Sequence, residues 1–157
     1  MKWLEKLAAA FALLGGACAL AVALMTLWSV VGRALFAHPL PGDVELSQIG
    51  IALAVALCLP WCQLRRGNII VDFFTQSAGE RVNGALDRFG ALLLAVMLGL
   101  LAWRSGAGAM AVAEAGEQTM ILGLPMWWGY AVLAPGLALT AVIACVQAVS
   151  REERFDA

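Results

Sequence analysis

The chain has 157 residues, of which 62% are hydrophobic and 13% charged, with a formal charge of −1 and a mean hydropathy of +0.86. Globular domains carry about 45–50% apolar and about 25% charged residues, so a soluble protein of this composition would lack the polar surface to cover its core. No basic stripe with interleaved aromatics points to nucleic acid, and the apolar excess must face lipid.

A membrane-spanning helix needs about 20 predominantly apolar residues, and four segments qualify. The first covers residues 7–31, follows Lys2 and Lys6 and carries no charge. It is longer than the roughly 7–15 residues of a signal-peptide core. Its Leu14-Gly15-Gly16-Ala17-Cys18 run departs from a lipoprotein cleavage site at Gly15, so an uncleaved anchor is expected. Gly15, Gly16, Ala17, Ala19, Ala21 and Ala23 suit close helix approach in lipid. A loop containing His38, Pro39, Pro41 and Gly42 then stops the helix. Asp43 is the expected cap of the next helix, with Glu45 in its positive first turn.

The second span covers 46–64, with Pro60 expected close to its end at the cytoplasmic face. After it, Gly67 breaks the chain, and residues 68–74 read Asn-Ile-Ile-Val-Asp-Phe-Phe. That short amphipathic segment suits the membrane interface or a partner. Ser77 and Glu80 form a capping-box pattern, opening a long, tilted helix that carries Arg81, Asp87 and Arg88 near its cytoplasmic start and contains the third span at 86–108. Arg104, near the end of that span, is expected to extend its head towards the lipid headgroups. Gly116 and Gly123 loosen the following turn, and Pro125 precedes the fourth span at 126–149. The expected architecture is an all-α integral membrane fold, one domain of four transmembrane helices with an interfacial segment between the second and third.

Eight of the ten basic residues (Lys2, Lys6, Arg65, Arg66, Arg81, Arg88, Arg151 and Arg154) fall on one side of these spans, against Arg33 and Arg104 on the other. The positive-inside rule places both termini and the middle loop in the cytoplasm. Trp3 and Trp61 at the inner boundary, and Trp28, Trp103, Trp127 and Trp128 at the outer one, agree with that orientation.

Little in the chain can do chemistry. His38 is the sole histidine, and one loop histidine cannot supply a bis-histidine haem site. Cys58 and Cys62 share a helix face, but a redox pair commonly has Cys-x-x-Cys spacing and an environment that lowers the thiol pKa. Packing as small hydrophobes is the expectation. Spans one, two and four have no ionisable residue in their interiors, whereas autonomous transporters need buried carboxylates or broken helices to hold ion and substrate. An accessory subunit without catalytic residue, cofactor or metal is therefore expected.

Four short motifs occur in order along the chain. Val31-Gly32-Arg33-Ala34-Leu35-Phe36 closes the first span, and Glu45 opens the second. Arg66-Gly67-Asn68-Ile69-Ile70-Val71-Asp72 follows the second span. Thr119-Met120-Ile121-Leu122-Gly123-Leu124-Pro125-Met126-Trp127-Trp128 precedes the last one, with Tyr130, Pro135 and Gly136 behind. Over most of its length the chain thereby resembles the small, DctQ-like membrane subunit of tripartite ATP-independent periplasmic (TRAP) transporters. Asn68 stands where that family commonly has His, and Met120 where it commonly has Pro; the first loses titration, the second relaxes the turn.

The resemblance implies a subunit of a bacterial inner-membrane system that imports organic acids, often carboxylates, with sodium. A large membrane subunit carries the ion and substrate sites and moves as an elevator, while the small one widens the stationary scaffold. A periplasmic solute-binding protein delivers the acid. The partners expected are these two proteins and membrane lipid. Candidate interface or structural residues are Arg33 and Glu45 outside, Arg66, Asn68, Ile69, Asp72, Phe73 and Phe74 inside, and Pro125, Trp127 and Trp128 before the last helix. Arg66 could pair with Asp72 or with a partner carboxylate. Two rival readings are a thiol–quinone oxidoreductase using Cys58 and Cys62, and a small autonomous multidrug exporter, which the uncharged first span disfavours.

Overall fold

A chain in lipid finds no water for its peptide groups, so its apolar runs must close their hydrogen bonds internally, as helices. The computed structural model describes residues 2–36, 40–65 and 80–149. Four helices occupy them: α1 (Lys2–Phe36), α2 (Asp43–Leu64), α3 (Glu80–Ala115) and α4 (Trp127–Val149). Each is long and apolar enough to cross a membrane. At 1.5 Å per residue, α2 and α4 are about 33–35 Å long, close to the thickness of a bilayer's hydrocarbon core. α1 and α3, with 35 and 36 residues, reach about 52–54 Å and outrun the spans expected from sequence at both ends.

The helices stand in the order α1, α2, α4, α3. α2 packs on both α1 and α4, α3 packs on α4 alone, and α1 barely touches α4. This row leaves both edge helices with one face uncovered by the chain itself. Leu13, Leu20, Leu24, Leu27 and Trp28 of α1 and Leu93, Met97, Leu100 and Trp103 of α3 are accordingly exposed.

Close backbone approach holds the row together. Beside Gly15 of α1, a Cβ would stand 2.7 Å from Cys58 Sγ and 2.9 Å from the Ala54 carbonyl oxygen of α2. Gly50 of α2 likewise admits Val22. Of the small residues expected to mediate packing along α1, Gly15 is buried while Gly16, Ala17, Ala19, Ala21 and Ala23 are exposed.

The α2–α4 contact explains how α2 tolerates Pro60, which lies near the end of the helix where the sequence placed it. Pro60 is buried inside the helix. Lacking an N–H, it leaves the Ala56 carbonyl without its usual donor four residues on. Gly136 of α4 backs against that carbonyl, at a place where any Cβ would collide with it. A glycine Cα–H facing a freed carbonyl is a weak compensating contact suited to helix interfaces. One turn on, Thr140 Oγ1 donates to the Gly136 carbonyl (2.7 Å) and is itself buried.

One correction concerns the start of α2. The residue preceding the helix is Gly42, in the left-handed conformation at φ 77°, and no side chain caps the first turn. Asp43 faces α1 instead. Ser77 of the capping box and the 68–74 segment lie outside the described residues.

Candidate functional site

Both described inter-helix turns lie at one end of the row, and a carboxylate joins them. Glu45, in the first turn of α2, accepts hydrogen bonds from two successive amides of the α3–α4 turn, Ile121 N–H to Oε1 (2.9 Å) and Leu122 N–H to Oε2 (3.2 Å). Charge-assisted bonds of this kind are about twice as strong as neutral ones. Leu122 packs directly over Gly42, where no Cβ could fit; that contact and the positive φ both require glycine there.

The turn is also closed on itself. Thr119 N–H donates to the Leu124 carbonyl (2.9 Å), and Leu124 N–H donates back to the Thr119 side chain at Oγ1 (3.0 Å). Gly123 N–H returns to the Thr119 carbonyl, and Met126 N–H to that of Glu117. Gln118 and Pro125 form an isolated antiparallel bridge. Met120 stands almost fully exposed at the tip, and the turn keeps its hydrogen bonds without the proline expected there. Pro125 leads into α4, its carbonyl accepting from Trp128 N–H (3.3 Å). The Trp127 and Trp128 rings meet edge to face at 6.1 Å.

Arg33 and Glu45, both expected at this end, serve different partners. Arg33 Nη2 pairs with Asp43 Oδ2 at 3.3 Å, and the same oxygen accepts a 2.6 Å hydrogen bond from Ser29 Oγ. Leu40 N–H donates to Ser29 Oγ (3.4 Å). The three residues thus tie the end of α1 to the start of α2, with the serine buried and the arginine exposed. Sequence pattern did not mark Ser29 and marked Asp43 only as a cap, because their pairing depends on how two antiparallel helices meet.

At the opposite end the polar residues are amides. Gln63 Nε2 donates to Gln147 Oε1 (2.7 Å), and Gln147 Nε2 returns to the Gln63 carbonyl (2.9 Å). This pair cross-links the ends of α2 and α4 beside a core of Ala8, Leu64 and Ile143, flanked by Leu4, Trp61 and Leu139. The Arg65 guanidinium lies over the Trp61 ring, 4.8 Å from its centroid. Arg66, Asn68, Ile69, Asp72, Phe73 and Phe74 fall outside the described residues.

The chemical capacity of this arrangement is small. All four cysteines carry free thiols. Cys58 is wedged beneath Gly15, with Sγ 4.0 Å from the Ala12 carbonyl, a packing position. Among the described residues, no group of His, Cys, Asp and Glu could hold a metal ion. The side chains of Arg33, Asp43 and Glu45 at the turn end fasten helices and turns to one another.

No significant match to the chain occurs among curated proteins or among solved structures. A family model, described as the DctQ component of tripartite ATP-independent periplasmic transporters, matches residues 22–154. That stretch runs from within α1 past the end of α4 and takes in both the Glu45 tie and the Trp127–Trp128 pair. The chain belongs to the DctQ family, the small permease component of TRAP transporters.

Proposed function

We propose that this chain is a non-catalytic subunit of a sodium-coupled transporter for organic acids, working beside a large membrane subunit that a periplasmic solute-binding protein supplies. Family membership carries the reading. The physical chemistry supports it: the interiors of α1, α2 and α4 hold no ionisable residue, leaving those helices no means to coordinate an ion or a carboxylate in lipid. An open row with uncovered apolar edge helices suits a scaffold extension that meets lipid on one side and a larger protein on the other. The basic asymmetry favours both termini on the cytoplasmic side, and membership of the family favours the bacterial inner membrane.

On this reading Arg66, Asn68, Ile69, Asp72, Phe73 and Phe74 form the cytoplasmic part of the interface, and Arg33 with Glu45 keeps the periplasmic end in shape. A tagged chain co-expressed with the large subunit should recover it from detergent. Exchanging Ile69, Phe73 and Phe74 together for charged residues should weaken recovery while all four helices still insert. Solute uptake by liposomes containing this chain alone would contradict the reading.

A further inference from the structure

Among the described residues, Arg104 is the one charged residue that the helix register sets far from either end of the row. Gly99 of α3 lies against Ala141 of α4, and Gly108 against Tyr130. Arg104, between the two glycines, is therefore level with the neighbourhood of Pro135 and Gly136. Gly136 in turn abuts Ala56 of α2. Along α2, Ala56 is about 20 Å from Asp43 and about 14 Å from Arg65, the charged residues that mark its two ends. Either way, about two and a half to four helical turns separate Arg104 from the level where polar surroundings begin. That is farther than one side chain reaches, so the register argues against its head extending to the headgroups.

Its direction is equally informative. The face of α3 turned to α4 runs through Ala95, Gly99, Ala102 and Ala109, buried or half-buried. Arg104 is on the opposite face, exposed, in line with Leu93, Met97 and Leu100. It forms no ion pair or hydrogen bond with any described residue. An unpaired guanidinium at mid-depth facing hydrocarbon is costly, and such residues pair with a carboxylate or line a functional path.

We propose that Arg104 is a docking residue that pairs, at mid-depth in the bilayer, with an acidic side chain on a transmembrane helix of the large subunit. This rests on the reading of the chain as that subunit's companion. A second copy of the chain does not fit. The acidic residues of its helices (Glu5, Asp43, Glu45, Glu80, Asp87 and Glu114) all lie towards helix ends, and α4 has none. A lipid phosphate stays at the surface, beyond reach. An acidic helix of a membrane partner supplies the missing charge at the required depth, and the apolar residues around Arg104 suit its flanks.

The test uses the full chain co-expressed with the large subunit, comparing wild type with Arg104→Leu and Arg104→Lys. Leucine is compatible with lipid, so the first variant should insert and purify alone as well as wild type. Recovery of the large subunit should fall at least tenfold with leucine and stay within threefold with lysine, which keeps the charge. Introducing arginine at the partnering acidic position, alongside Arg104→Glu, should restore recovery. Undiminished recovery with Arg104→Leu, while wild type binds, would overturn the Arg104 assignment alone. Failure of the wild-type chain to bind would overturn the functional reading beneath it.

Discussion

At Glu45 one carboxylate serves two consecutive amides, each oxygen taking one. Replacing it with glutamine removes the charge and turns one acceptor into a donor facing an N–H. Hydrogen exchange at the Ile121 and Leu122 amides should then accelerate severalfold as their charged acceptor is lost, while amides near Gln63 stay unchanged. Ser29 and Arg33 allow a sharper comparison, since both address Asp43 Oδ2. The arginine is exposed, so solvent and salt screen its ion pair and it contributes little. The serine is buried and its bond short, so Ser29→Ala should cost more, about 1–3 kcal/mol. Unfolding in mixed detergent micelles measures the difference, and equal losses would contradict the assigned roles. Sequence marked Arg33 and Glu45 as fixed points but not their partners. An aspartate after a glycine reads locally as a cap, and only the α1–α2 packing turns it towards Ser29.

Among the helices, the number of spans was legible because lipid demands continuous apolar runs, and charges fall between them. The order of the row was not. Every face of such a helix is apolar, so hydropathy cannot say which face meets protein; that depends on where backbones come close. Gly15, Gly50 and Gly136 make those approaches, whereas Gly16, Gly90 and Gly106, equally small, face open space. The place of Pro60 near the end of α2 was legible, but not its support: a proline that breaks a solvated helix is tolerated where a neighbouring helix compensates the freed carbonyl. Gly136→Leu should therefore push α4 off α2 and destabilise the protein by about 1–3 kcal/mol, the usual range for overpacking, whereas Gly106→Leu should be near neutral. Replacing Cys58 and Cys62 together with alanine should leave transport by the assembled system within a few-fold of wild type. Abolished transport with assembly intact would revive a redox role for the pair.

For the whole molecule, an open row of helices is a poor vessel for a substrate but a good extension of a wall. Its polar residues fasten one end with carboxylates and the other with amides, and between them α1, α2 and α4 present only apolar and small uncharged side chains. The basic asymmetry predicts that a reporter active only in the periplasm stays silent when fused after Ala157; activity there would invert the orientation. The central claim, that this chain supports a transporter it does not itself energise, is tested most directly in proteoliposomes. With the large subunit and the binding protein present, adding this chain should give sodium-driven uptake of an organic acid, and omitting it should abolish or greatly reduce that uptake. Full uptake by the large subunit and binding protein without this chain would contradict the account.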